Sequence, residues 1–417
     1  MVVEANQTMT APKFTKDFFV GNRRALLERS GLEVVVIPAA GLLQRSADTT
    51  YTFQQDRNFW YLTGLDQPDV VLVMTPGESF LIEAARSAAR QAFDGAGDAA
   101  SAIADAGIDG AYSERAGWER LSDIVSNSKL KSVGVLTAPA SYLGSYGFYT
   151  NPSRKRLTTR LARRFPNTTQ VSVSEQLARL RAQKQPVEIA TLQRAIDRTT
   201  QSLDIVRTQL DSFQYEYEIE AFLSQQFRAH GDDGHAFEPI IASGAHATTL
   251  HYIENNGRLQ SGDLLVCDVG AKTAGYCADV TRTFRYGRAT ARQRAVHEAV
   301  LQVQGYALEL LVPGTLLRDY ESKVGVAMRL QLVKLGLISS VDDREAAWQY
   351  YPHATSHFLG LDVHDVGDYN APLAENMVLT CEPGIYIAAE SIGVRIEDDV
   401  LITATGNSVL SDCSREL

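Results

Sequence analysis

Apolar residues come in two textures along the chain. In the first third, short apolar runs at 34–37, 70–74, 80–82 and 133–136 predict buried strands, and helical spacing at 99–106 and 115–126 predicts helices between them. That alternation marks an α/β domain. Beyond Pro186, the apolar positions Ile189, Leu192, Ile196, Leu203, Val206 and Leu210 follow the helical period for more than five turns, with Thr199 in the one gap. A long amphipathic helix is therefore predicted to open a second domain. From Phe237 onward, alternating segments predict antiparallel strands, interrupted by helices near 291–311 and 320–335. Pro313 and Gly314 are placed to stop the first of these helices. This mixture predicts an α+β fold.

At roughly 150 residues per domain, a chain of 417 residues accommodates both parts, and the change of texture sets their bounds at 1–173 and 174–417. With 45% hydrophobic and 22% charged residues, 30 Gly and 13 Pro, the composition excludes collagen-like, coiled-coil and disordered classes. A net charge of −10 argues against nucleic acid, which needs a clustered basic face. Four cysteines are too few for a disulfide framework, so reduced thiols in the cytoplasm are expected. The opening residues lack a leader's basic and apolar stretches, Glu33, Pro38 and Gly41 break the run at 32–43, and no membrane span is predicted. Gly95 and Gly97 form only a degraded dinucleotide fingerprint, which reads as a plain loop.

Chemically useful residues gather in three stretches of the second domain. The first carries Asp268 and Asp279 on two alternating arms. A hairpin turning at Thr273 and Ala274 would set the two carboxylates directly opposite each other, a placement that calls for a cation or a hydrogen-bond network between them. A differently placed turn would leave one Asp in solvent. The second stretch holds His353, His357 and His364. A zincin helix needs H-E-x-x-H, but Ala354 and Thr355 follow the first His, so the stretch predicts a loop running into a strand. One imidazole there would ligate a metal while the others bind substrate; a lone His is otherwise structural. The third stretch has Glu382 before a turn, then Glu397 in a buried run with Arg395 on the same face. A buried acid must be paired or coordinated, so Glu397 is either a ligand or an arginine's partner. Asp398 and Asp399 are expected as solvated strand-end residues.

Four carboxylates and one imidazole suit two divalent ions of the Mn, Co or Zn kind, about 3.5–4 Å apart and bridged by hydroxide. Cys267 and Cys381 should face away from them; Cys277 shares a face with Asp279, and all three are expected as small core residues.

The set Asp268, Asp279, His357, Glu382 and Glu397 resembles the dinuclear site of the pita-bread metallopeptidases. The words Leu250-His-Tyr, Asp279-Val-Thr-Arg-Thr-Phe, Ser356-His-Phe-Leu-Gly-Leu-Asp-Val-His-Asp, Leu379-Thr-Cys-Glu-Pro-Gly-Ile-Tyr and Ile392-Gly-Val-Arg-Ile-Glu-Asp-Asp resemble the Xaa-Pro aminopeptidase (aminopeptidase P) branch, with prolidase as nearest relative. Residues 53–64 resemble the branch's N-terminal signature. The resemblance implies an α/β capping domain on a pita-bread catalytic domain, an antiparallel sheet flanked by helices. It implies two metals, commonly manganese, held by those five residues with Asp279 and Glu397 bridging, and a metal-bound hydroxide that removes the first residue from peptides with proline second. It further implies that Glu382 handles the proton of the attacking water. By the same resemblance His251, His353 and His364 line the cleft, with Arg395 and Tyr386 supporting them at the substrate, and the partners are proline-containing peptides and copies of the chain in a dimer or tetramer.

Departures bear on specificity. Ala354 and Phe358 stand where the family has Gly and Trp, and Gln91, Phe93, Ala96 and Gly97 stand where the branch often has a Glu, a Trp and arginines. This leaves a dipeptidase, or prolidase, as the alternative. A non-catalytic pita-bread module or creatinase-like chemistry is disfavoured by the intact ligand set, and methionine aminopeptidase by the extra domain. The basic run Arg154, Lys155, Arg156, Arg160, Arg163 and Arg164 reads as a solvated helix face rather than an arm holding a substrate carboxylate in a neighbouring subunit.

Overall fold

The computed structural model describes residues 12–84, 99–137 and 146–417; Gln91, Phe93 and the glycines at 95 and 97 lie outside the described residues. Contacts divide the chain into Lys13–Arg181 and a unit running from Ala182 to Leu417.

In the first unit the four expected apolar runs are strands β1 (Val35–Pro38), β2 (Val71–Met74), β3 (Ser79–Glu83) and β5 (Ser132–Val135), joined by β4 (Gly110–Ser113) and β6 (Thr169–Ser172). They form one sheet in the order β4-β3-β2-β1-β5-β6. Only β1–β2 and β2–β3 run antiparallel. Its apolar residues Val34, Val36, Phe80, Ile82 and Val133 pack against Trp118 and Leu121 of one helix, Glu114–Asn127, and Leu157 and Leu161 of another, Ser153–Arg164. The latter helix carries the basic run. Arg154 binds Asp56 at 2.7 Å and Arg160 binds Glu114 at 2.6 Å, while Lys155, Arg156, Arg163 and Arg164 are exposed. Of the helix Ser174–Ala182, all but the last residue belongs with this unit, eight residues beyond the boundary expected from texture, and Arg181 donates to Asn58 at 2.9 Å and the Tyr61 hydroxyl to the Leu180 carbonyl.

The second unit opens with α1 (Pro186–Thr208), whose start is fixed by Pro186 and by the Gln185 N–H donating to Glu188 at 2.9 Å. Thr199, the gap in its apolar stripe, donates to the Ala195 carbonyl and accepts the N–H of Ala271, so it ties the helix to the sheet. A second helix, α2 (Glu216–Ala229), packs beside it. Their apolar faces cover β7 (Ile240–Ser243), β8 (Leu264–Val269) and, after a short hairpin tip, β11 (Val280–Arg285), through Leu203, Val206, Ile219, Leu223, Ile241, Leu265, Cys267 and Val280. The tip strands are β9 (Ala271–Thr273) and β10 (Tyr276–Cys277). The other helices, α3 (Ala291–Leu310) and α4 (Leu317–Lys334), back β12 (Val378–Cys381), β13 (Gly384–Ile387), β14 (Ile392–Arg395) and β15 (Asp398–Ile402) through Val296, Val300, Tyr320, Met328, Leu379, Ile385, Val394 and Val400. The apolar face of each strand meets helices, so its polar face is left to build the site. Cys267 and Cys381 lie on the helix side, and Cys277 is turned to the Leu361 carbonyl.

The hairpin corrects one expectation. Ala274 and Gly275 both adopt positive φ (45° and 84°), forming the two-residue turn one position later than expected. Thr273 consequently pairs with Tyr276, and Asp268 stands opposite Thr281 rather than Asp279. Asp279 is displaced by two residues along the same face, a diagonal neighbour still within reach.

Asp398 is equally unlike its expectation. It is buried, accepting from Arg282 at 2.7 Å, Arg415 at 2.7 Å, Ser411 at 2.7 Å and Gln304 at 2.8 Å. Arg282, also buried, further donates to the carbonyls of Glu397 at 2.6 Å and Ser414 at 3.0 Å. Removing one partner of such a pair strands the other in low dielectric, so Arg282→Met should cost about 3–5 kcal/mol, read as a fall in the unfolding midpoint of the full chain. A loss below about 1 kcal/mol is what an exposed pair would give and would contradict this account.

Candidate metal centre

One strand and four connecting segments supply the polar face. Asp268 comes from β8, Asp279 from the residue before β11, Glu382 from just past β12, and Glu397 from the link between β14 and β15. His357 comes from the loop 353–364, which is non-helical as its sequence predicts. That loop is sewn to β12: the Thr380 N–H donates to the His357 carbonyl at 2.9 Å and the Glu382 N–H to the Thr355 carbonyl at 2.9 Å. From the other side, Glu321 of α4 accepts the Thr355 N–H at 3.0 Å. Glu397 is aligned by its N–H to the Thr281 carbonyl and by the Thr281 hydroxyl, which donates to its carboxylate at 2.6 Å.

The side chains converge. His357 Nε2 lies 3.5 Å from both Asp279 and Glu382, and Asp279, His357 and Glu397 each present a ligand atom within 4.8 Å of the other two. His357 Nδ1 faces the Phe358 carbonyl at 3.0 Å, which assigns the proton to Nδ1 and leaves Nε2 for a cation. Asp268 has one oxygen held by Arg395 Nη2 at 2.5 Å, while Oδ1 is buried with no hydrogen-bond donor among the described residues. An orphaned carboxylate oxygen beside three more acids and a spare imidazole nitrogen is a donor set that fits divalent cations.

Electrostatics agree with that fit. Burial holds the Asp279 carboxyl up at about 6 against the hydrogen bond from His357, and holds Glu382 up at about 7 despite the His357 charge. Burial, reinforced by Asp279 and Glu382, holds Glu397 well above the carboxylate range. Burial pulls His357 down, but its bond to Asp279 and the charge of Glu382 prevail and raise it to about 9. Asp279, Glu382 and Glu397 are thus each held toward the neutral form unless positive charge joins them.

The remaining predicted residues fall in two groups. Arg395 Nη1 donates to the Tyr386 hydroxyl at 2.8 Å, which lies 3.0 Å from His353 Nε2, while His353 Nδ1 faces the Ala354 carbonyl at 2.8 Å. Burial and the Arg395 charge keep His353 down at about 4. His364 is held down at about 4 by burial and by His357, whose ring centroid is 4.4 Å away. His251 is exposed, and a positive charge on it would work against protonating His353 and His364. His353→Ala and His364→Ala should each lower turnover while leaving metal content nearly intact; metal loss equal to that of a ligand variant would contradict the division.

Sequence reading missed three supports. Asp399, expected in solvent, is fully buried and accepts the Asp279 N–H at 3.1 Å, orienting the backbone at that residue. Thr281 and Glu321 orient Glu397 and the His loop. Thr281 lies in the stretch from Asp279 to Phe284, and its parity with Asp279 is a signal for it; Glu321 sits on a helix face with no local signal.

Residues 190–404 match metallopeptidase family M24, and residues 19–133 match the aminopeptidase P N-terminal domain. The chain is 34% identical to Xaa-Pro aminopeptidase 3 of Homo sapiens, over 92% of this chain and 79% of that protein. It is 31% identical to the Xaa-Pro aminopeptidase of Escherichia coli (strain K12), over 96% and 95%. A solved structure of zinc-substituted E. coli aminopeptidase P in complex with product superposes with a TM-score of 0.82 at 30% identity, covering 96% of each chain.

Proposed function

The chain belongs to metallopeptidase family M24 and carries an aminopeptidase P N-terminal domain, and on that premise we propose that Asp268, Asp279, His357, Glu382 and Glu397 hold two divalent ions, manganese first, with zinc and cobalt as alternatives. The activity is that of a metal-dependent Xaa-Pro aminopeptidase, a hydrolase that removes the residue preceding proline at a peptide's N-terminus. The observation that carries the metal assignment is His357 Nε2, freed by the Nδ1 contact to a carbonyl and aimed 3.5 Å from two carboxylates. When bound, the ions supply a Lewis acid for the scissile carbonyl and lower the pKa of water toward ~7.

The chain's own residues supply the rest. A peptide nitrogen before proline has no hydrogen, so the ring must be read by shape. The cleft histidines 251, 353 and 364 take that role and bind the scissile peptide; neutral near pH 7, His353 and His364 can accept and donate without repelling cations. Arg395 and Tyr386 hold the His353 ring in one orientation. Glu382 takes the proton of the attacking water and returns one to the prolyl nitrogen. The free thiols, three of the four buried, support a reducing compartment, the cytoplasm, and homo-oligomerisation is part of the same reading.

A length series of Xaa-Pro and Xaa-Pro-Xaa peptides with the manganese-loaded enzyme tests this. Cleavage of tripeptides and longer substrates is expected. Cleavage of dipeptides alone would make the enzyme a prolidase.

A further inference from the structure

The first residue of α2, Glu216, is a carboxylate with no exposed side-chain surface, outside the metal cluster, and it is saturated with donors from one segment of chain. Its Oε1 accepts the Ser243 N–H at 2.7 Å, the Ser243 hydroxyl at 2.7 Å and His246 Nδ1 at 3.1 Å. Its Oε2 accepts the Gly257 N–H at 2.7 Å and the Tyr252 hydroxyl at 2.9 Å. Gly257 has to be glycine, because a Cβ there would come within 2.7 Å of this carboxylate. The Glu216 N–H in turn donates to the Gly257 carbonyl at 3.0 Å. One side chain therefore clamps both ends of 243–257 and, through Tyr252, its middle.

Between those clamps stands His251. Tyr252 is buried, stacked on the His246 ring with centroids 4.3 Å apart, and packed with Ile240, Ala242, Ala247 and Val266; His251, its neighbour, is exposed. The same segment is pressed onto β14: a Cβ at Gly393 would lie 1.9 Å from the Ala247 carbonyl oxygen, two residues from Arg395. The clamp thus fixes a backbone that touches the site on one flank and carries His251 on the other.

We propose that Glu216 is a positioning residue for catalysis, which holds Tyr252 and thereby fixes His251 toward substrate, without itself touching substrate or metal. The proposal rests on the reading of His251 as a substrate residue. Misplacing a catalytic group by about 1 Å costs up to about a hundredfold in rate, so a large effect is available to a residue this far from the chemistry.

The test is a double-mutant cycle on the full manganese-loaded chain with an Xaa-Pro-Xaa peptide, using Glu216→Gln, His251→Ala and the combination, with Tyr252→Phe as a gentler second variant that deletes one donor and keeps the ring. Metal content and thermal midpoint are recorded throughout. Glu216→Gln is isosteric but turns an amide N–H against the Tyr252 and Gly257 donors. It is expected to lower kcat/KM about tenfold to a hundredfold with metal content unchanged, and to add nothing in the His251→Ala background. Tyr252→Phe should show the same non-additivity at smaller amplitude. Effects of both variants that multiply with His251→Ala, or none in the His251 wild type, overturn the proposal. If His251→Ala by itself loses nothing while the unmodified chain is active, the reading of His251 fails and the proposal with it.

Discussion

Glu382→Ala is expected to abolish turnover, by about 10³-fold or more, and to lose metal from one of the two proposed positions. Two functions disappear together. The carboxylate stands 3.5 Å from His357 in the proposed ligand set, and it is the group proposed to move the proton of the attacking water. Glu382→Gln separates the two, since the amide keeps a carbonyl oxygen and the volume but cannot take a proton. Elemental analysis after dialysis should then find more metal than in the alanine variant, with turnover still lost. Full activity in the glutamine variant would remove Glu382 from the proton path. Asp268→Ala should also lose metal and activity, with Arg395 deprived of its 2.5 Å partner as well.

Metal removal is expected to produce the second large effect, on stability, with a pH dependence of definite sign. A ligand that binds only the folded chain at a hundred times its Kd stabilises it by about 2.7 kcal/mol per site, so chelation should lower the unfolding midpoint by several degrees. In the metal-free chain Asp279 is raised to about 6, Glu382 to about 7 and His357 to about 9. The unfolded values are roughly 3.9, 4.3 and 6.5. Each folded pKa lies above its unfolded one, so each contribution is fully present below the unfolded pKa and lost as pH rises through the folded one. Metal-free protein should therefore lose stability from about pH 4 to pH 9, while the loaded protein, whose ligands the protons no longer occupy, should gain on it over the same range. Parallel profiles for the two forms would show that these side chains do not hold the metal.

What the sequence discloses depends on how local each feature is. The stripe from Ile189 to Val206 shows the long helix because helical periodicity is written into consecutive turns, and even its gap, Thr199, sits where a hydroxyl ties the helix to the sheet. The site's acids are legible because each is a charge inside an apolar run. The hairpin is misread by one residue because Ala274 adopts φ 45°, a conformation an alanine gives no reason to expect; Gly275 alone does not set the register. Asp398 and Asp399 are misread for a different reason. Their partners Arg282 and Asp279 lie more than a hundred positions earlier, and nothing in a run of two aspartates distinguishes a solvated strand end from the floor of a buried network. Glu216 is the extreme case, a helix-start glutamate whose five donors are visible only once the chain has folded over it.

Arg282 has a consequence for biosynthesis. Its guanidinium gathers the carbonyls of Glu397, Cys413 and Ser414, so the link that delivers Glu397 is braced by residues translated after it. At about 5–20 residues per second the ribosome has long released Asp268 before these arrive. The set of side chains proposed to hold metal is therefore complete only when the last residues of the chain have folded against Arg282.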